Sequence, residues 1–274
     1  MVIASLLLAT VQVIGVQDRP VYVSGFVTVQ GVKLHYLDWG GKGEPLLFLS
    51  GTGDTAYAFT DFAPRFTDRF RVIALTRRGY GKSGKPSSGY DISTLAKDAL
   101  GFLDKKGIKQ TNIICHSAGG DETTYLGVEH PNRVRKLVYM EAAYNRSSIA
   151  AMEKLDPMGA AEPSSKEQAL HWKGMDAFRP NFKAIKAPVL SFYSIFEEHP
   201  AVGRRTSFEL REKADKFFWE TILPYQLKNI AQFKKDLPTA KVVELHGTDH
   251  YFFEDPKLED KVVATIRDFL AGTH

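Results

Sequence analysis

Apolar residues along this chain fall into two rhythms, and the order in which the rhythms alternate predicts the architecture. In "YVSGFVTVQGVKLHYLDWG" (22–40) apolar and polar residues alternate and are interrupted at Gln30-Gly31, which predicts two strands joined as a hairpin. "PLLFLS" (45–50) and "RVIALT" (71–76) are continuous apolar runs, as strands buried on both faces require. A Gly-rich loop, Gly51 to Gly53, and a short helix are expected between them. "DISTLAKDALGFLDKKG" (91–107) repeats apolar residues at helical spacing and stops at Gly107.

The alternation then continues: strand "NIIC", helix "DETTYLGVEH", strand "VRKLVYM" and, much later, strand "PVLSFY". A long helical pattern runs from about Thr206 to Phe233, followed by strand "KVVEL" and a closing helix "KLEDKVVATIRDFL". Strands alternating with helices imply an α/β protein with a doubly wound sheet, parallel except for its antiparallel beginning. Residues 144–186, rich in Met, Ala, Pro and Ser and carrying Trp172 and Phe178, break the rhythm. They are read as a small cap inserted into a single domain spanning 21–274, with both aromatics as walls of a binding pocket beneath it.

Composition narrows the function. A chain of 274 residues, 43% of them hydrophobic, can bury a sizeable core. A net charge of +4 from dispersed Lys and Arg offers no clustered basic face for nucleic acid. The single cysteine, Cys115, excludes an internal disulfide and a Cys-based zinc site. No apolar run reaches the roughly 18 residues that span a bilayer. Residues 1–20, which include "MVIASLLLATVQVIG", resemble the apolar part of an export signal without its basic start, so the chain is expected to be exported or, failing that, cytoplasmic.

Candidate chemistry gathers in "CHSAGG" (115–120), where a cysteine, a histidine and a serine stand side by side. The segment follows an apolar strand and precedes a helix, the setting of a nucleophile elbow, whose apex serine sits on a tight strand-to-helix turn. Positions two before and two after the apex must be small, and Cys115 and Gly119 satisfy this. Ser117 is therefore the nucleophile, Cys115 a packing residue and His116 a flank turned away from the apex. "GYGKSG" (79–84) matches the letters of a dinucleotide loop. Thr76, Pro86 and Gly89 deny it the context of a phosphate site, and it reads as a structural turn.

With "CHSAGG", "RRGYGKSGKP" (77–86) and "HGTDHYFFEDP" (246–256) taken together, the sequence resembles the α/β-hydrolase superfamily from about Val21 onward. The resemblance implies an eight-stranded sheet, a triad in the order Ser, acid, His, and no cofactor. By its place in the loop after the last strand, His250 is the expected base, with His246 structural. The acid is expected at Glu141, after the sixth strand, with Glu197 or Glu198, after the seventh, as the alternative.

The amides of Thr52 and Ala118 would form the oxyanion hole, although Ser50 stands where the family commonly has His. A serine at the apex argues against the Asp-dependent epoxide and haloalkane chemistries of the superfamily. The expected function is hydrolysis of small-molecule carboxylic esters. Lactone, carbon–carbon and acyl-transfer chemistry, or ligand binding without catalysis, are the alternatives.

Overall fold

A computed structural model describes residues 21–272; the possible export segment 1–20 lies outside the described residues. Strands β1 (Val23–Val29) and β2 (Val32–Gly40) form the expected antiparallel hairpin. Gln30 and Gly31 both have positive φ, 47° and 76°, as a two-residue hairpin turn whose twist matches the strands requires.

The remaining strands are β3 (Glu44–Leu49), β4 (Phe70–Leu75), β5 (Thr111–His116), β6 (Val134–Met140), β7 (Val189–Ile195) and β8 (Lys241–His246). Together they form one eight-stranded sheet in the order β1-β2-β4-β3-β5-β6-β7-β8. Pairing is antiparallel from β1 through β2 to β4 and parallel from β4 to β8.

Side-chain alternation along the strands builds a core on each face. Leu47, Leu49, Ile113 and Tyr139 meet one set of helices, α1 (Ile92–Lys105) and α2 (Gly119–Glu129), joined by Ile230 and Phe233 of a later helix. Leu46, Phe48, Ile114 and Met140 face the other way, against Val262, Ile266 and Phe269 of the closing helix. Helix α1 starts where the Asp91 carboxylate accepts a bond from the Thr94 amide at 2.9 Å and stops at Gly107, whose φ is 70°. A cap of this kind contributes about 1 kcal/mol.

One expectation needs correction. Between β3 and β4 the short helix is replaced by two single 3-10 turns, Ala56–Phe59 and Ala63–Phe66, because Pro64 lacks the amide that would continue a helix. The expected long helix of 206–233 is present as one uninterrupted helical run over 208–236, with a π-turn inside it. Between β6 and β7 lie α3 (Ile149–Glu153) and α4 (Lys166–Ala177). After β7 come α5 (Phe208–Phe217), a π-turn over Phe218–Ile222, α6 (Leu223–Asp236) and, after β8, α7 (Glu259–Ala271). Pro224, in the first turn of α6, cannot donate to the turn before it, and the helix widens there. Among the described residues no helix is long and apolar enough to cross a membrane.

Candidate active site

The carboxyl ends of the parallel strands deliver the candidate residues. Ser117 follows the last residue of β5 and Glu141 the last residue of β6, and those last residues, His116 and Met140, are register partners. Both chains turn sharply at the same level: Ser117 has φ 51° and Glu141 φ 50°, left-handed values that a side-chain-bearing residue adopts at a cost. The Ser117 amide donates to the Met140 carbonyl at 3.1 Å, fixing one turn on the other. Gly119 and Gly120 must lack side chains, since a Cβ on either would strike the carbonyl of Leu49 or Ala142. Cys115 is fully buried, its thiol pushed up to about 12 by burial, so it stays protonated and inert.

A cavity of about 430 Å³ opens over this turn, with Ser117, Glu141, His250 and Thr52 in its lining. The structure thus brings the expected serine, acid, histidine and one oxyanion residue to one cavity. Among the described residues no hydrogen bond joins Ser117, His250 and Glu141. Glu141 is 4% exposed and accepts bonds from Tyr144 Oη at 2.5 Å and from the Ser194 amide at 2.6 Å. Burial pushes its pKa up to about 7 despite those bonds. Burial, followed by the Arg146 charge, lowers His250 to about 4. Both groups are therefore biased toward their neutral forms.

The other candidates lie elsewhere. Glu197 and Glu198 are exposed and absent from the lining; Glu197 reaches toward Gly247, and Glu198 sits 4.0 Å from Arg211. His246 is exposed. Trp172 lines the cavity, but Phe178, the C-cap of α4, does not. Among the described residues no group of three or more His, Cys, Asp or Glu side chains is arranged to hold a metal ion.

The loop after β3 is clamped from two sides. Arg77, two residues before the turn read as structural, donates to the Ser50 carbonyl at 2.9 Å and the Gly51 carbonyl at 3.1 Å, and pairs with buried Glu122. From α4, Trp172 Nε1 donates to Thr52 Oγ1 at 2.9 Å, and Tyr80 Oη lies 3.1 Å from the same oxygen. Among the described residues neither the Thr52 nor the Ala118 amide has a main-chain acceptor, which leaves both N–H groups open to a ligand.

Sequence reading missed Arg146. It pairs with Asp121 at 2.7 Å and donates to the Ser117 carbonyl at 2.9 Å from the cavity wall. The available signal was "DE" in the first turn of α2: two adjacent buried carboxylates demand two cations, and Arg77 and Arg146 supply them.

A family model described as alpha/beta hydrolase fold matches residues 44–180, half of the chain. The chain belongs to the α/β-hydrolase family. Its eight-stranded, mostly parallel sheet is that of an α/β-hydrolase.

Curated relatives of this α/β-hydrolase include a soluble epoxide hydrolase of Corynebacterium sp. (strain C12), 30% identical over 41% of this chain and 39% of that protein. Another is a 2-hydroxymuconate semialdehyde hydrolase of Pseudomonas sp. (strain CF600), 31% identical over 52% and 50%. The chain thus spans about two fifths to half of the length of these relatives. Among solved structures, E-2-(acetamidomethylene)succinate hydrolase superposes with a TM-score of 0.68 at 19% identity, covering 92% of this chain and 100% of that one. At that identity the likeness is one of fold.

Proposed function

We propose that this α/β-hydrolase cleaves carboxylic esters through an acyl-enzyme on Ser117. The observation that carries the reading is a serine at a left-handed apex, opening into a cavity it shares with His250 and Glu141. Ser117 Oγ attacks the ester carbonyl while His250 takes its proton and hands it to the departing alcohol. Glu141, ionised, orients the imidazole and stabilises its cation. The amides of Thr52 and Ala118 receive the developing oxyanion. Water, with its proton taken by His250, then releases the acid.

The bias of Glu141 and His250 toward neutrality suits this sequence. A charge pair that burial makes costly on its own becomes favourable once the transition state supplies its counter-charge. Arg146 is committed to Asp121 and to the Ser117 carbonyl, so it acts as scaffold rather than as base. Segment 144–186 serves as the cap in this reading. Its Ile149, Met152, Trp172 and Met175 form an apolar wall for the acyl chain. The epoxide-hydrolase relative does not lend its chemistry here, because the apex is Ser117.

A fluorophosphonate should label Ser117, and short p-nitrophenyl esters should turn over in the wild type and not in Ser117→Ala. Labelling at Cys115, or an acyl intermediate in Ser117→Ala, would defeat the proposal. Tight ester binding with no turnover would favour a ligand-binding protein on the same fold.

A further inference from the structure

Two segments far apart in sequence, 250–253 and the loop after β3, converge on the ring of His116. It is 1% exposed, and its centroid lies 4.5 Å from that of His250, 4.8 Å from Tyr251 and 5.0 Å from Phe253. His116 Nε2 lies 2.9 Å from the backbone carbonyl oxygen of His250. A carbonyl only accepts, so Nε2 must carry the proton and Nδ1 is left as a bare acceptor. That acceptor is buried without a partner, 3.9 Å from the Asp54 carboxylate. Asp54 belongs to the loop after β3 and in turn accepts a bond from Tyr251 Oη at 3.2 Å.

This is a poor arrangement for mere filling. An apolar side chain of similar shape would pack against Phe253 without stranding a lone pair beside a carboxylate. What only the imidazole supplies is the grip on the loop that carries His250. The preceding carbonyl, of Asp249, is held separately by Ser194 Oγ at 2.6 Å. Strand β5 therefore governs both ends of the proton transfer: its next residue is Ser117, and its last side chain holds the main chain of His250.

We propose that His116 is a positioning residue, locked as the Nε2–H tautomer, which sets the reach of His250 toward Ser117. The inference rests on the hydrolase reading above. Burial lowers the His116 pKa to about 3, so the ring stays neutral over the working range and the tautomer is fixed.

Gln and Asn separate this role from packing. The Gln amide nitrogen lies as many bonds from Cβ as His Nε2, whereas the Asn nitrogen corresponds to Nδ1. H116Q should therefore keep the grip, and H116N and H116F should lose it. In the full-length protein assayed with p-nitrophenyl butyrate, H116N and H116F should fall in kcat by at least about tenfold while KM moves less than about twofold. H116Q should recover most of that loss, and inactivation by fluorophosphonate should follow the same order.

Equal kcat in folded H116Q, H116N and H116F, or losses that follow melting temperature instead of donor position, would overturn the proposal. If H116F fails to fold, nitrogen NMR of the wild type decides: a proton on Nε2 of His116 is required, and one on Nδ1 refutes it. Turnover that survives Ser117→Ala would sink the hydrolase reading by itself, whatever the His116 series gives.

Discussion

Ser117 and Glu141 stand on neighbouring strands whose ends are in register, whereas Trp172 and Ile222, on the same cavity's walls, come from helices outside the sheet. The floor is tied down redundantly. Two buried ion pairs, Arg77–Glu122 and Arg146–Asp121, anchor the first turn of α2, and both arginines also hold main-chain carbonyls beside the reacting atoms. The roof is held by side-chain bonds along its length: Trp172 to Thr52 at 2.9 Å, His171 to Tyr80 at 2.9 Å, Asn145 to Tyr225 at 2.7 Å, and His199 to Asp156 at 3.1 Å, with Arg146 rooting its first residues on the floor. It also leaves Leu155, Phe208 and Trp219 exposed. In the proposed reading, a floor built on the sheet and a roof built on helices separate two tasks, the fixing of reaction geometry and the choice of substrate.

The largest effect should come from the floor's charge. Glu141→Gln keeps the shape and removes the charge, which in the serine-protease template costs roughly four orders of magnitude in kcat. Glu197→Gln should stay within about tenfold, since its side chain lies outside the cavity. Because the Glu141 pKa is raised to about 7, kcat/KM of the wild type should fall as pH drops below that value. That limb should vanish in Glu141→Gln. A limb that persists unchanged there belongs to another group, and the acid assignment fails.

The same shift has a signature in stability. A carboxyl whose folded pKa is raised favours folding fully below its unfolded pKa, and that contribution is lost as pH rises to the folded value. From 4.5 to about 7 the loss amounts to about 3 kcal/mol, by the usual 1.4 kcal/mol for each pH unit. Urea unfolding should therefore find the inactive Glu141→Gln gaining on the wild type between pH 4.5 and 7, with little difference below. A merely structural Glu141 would lose stability on substitution at every pH.

Next in size is the anchoring itself. Arg77→Met strands the Glu122 carboxylate in the core and should cost about 3–5 kcal/mol in denaturant unfolding. Turnover should fall as well, because the carbonyls of Ser50 and Gly51 lose their donor.

The smallest effect should lie in the roof. Trp172→Ala should shift preference along a graded series of acyl chains by about tenfold with little change in melting temperature. Phe178→Ala should shift it hardly at all. Equal effects of the two would mean that the roof acts as one body.

Much of the floor could be read from residues near one another in sequence. Gln30-Gly31 and Gly107 announced turns, the apolar runs announced buried strands, and "CHSAGG" between strand and helix announced Ser117. Such signals are short-range because φ and side-chain alternation are properties of neighbouring residues. What escaped depends on partners brought together only by packing. Arg146 meets Asp121 across 25 positions, and His116 meets the carbonyl of His250 across 134. The two prolines that reshaped helices were visible, but their consequence depended on which amide the neighbouring turn needed. Phe178 failed as a cavity wall because a stretch without clear apolar periodicity does not say which side chains will face the cavity.

The left-handed turn at Ser117 also bears on how this protein responds to selection. A side-chain-bearing residue pays roughly 1–2 kcal/mol to hold such a φ, and glycine pays little of it, at an entropic penalty of about 0.5–1 kcal/mol. Glycine at 117 would therefore be neutral or slightly favourable for endurance. A library screened for heat resistance alone would have no reason to keep the serine and would drift toward sturdy, inert molecules. If Ser117 is the nucleophile proposed above, only assays that demand turnover hold that position, and the hydroxyl is maintained against the preference of its own backbone.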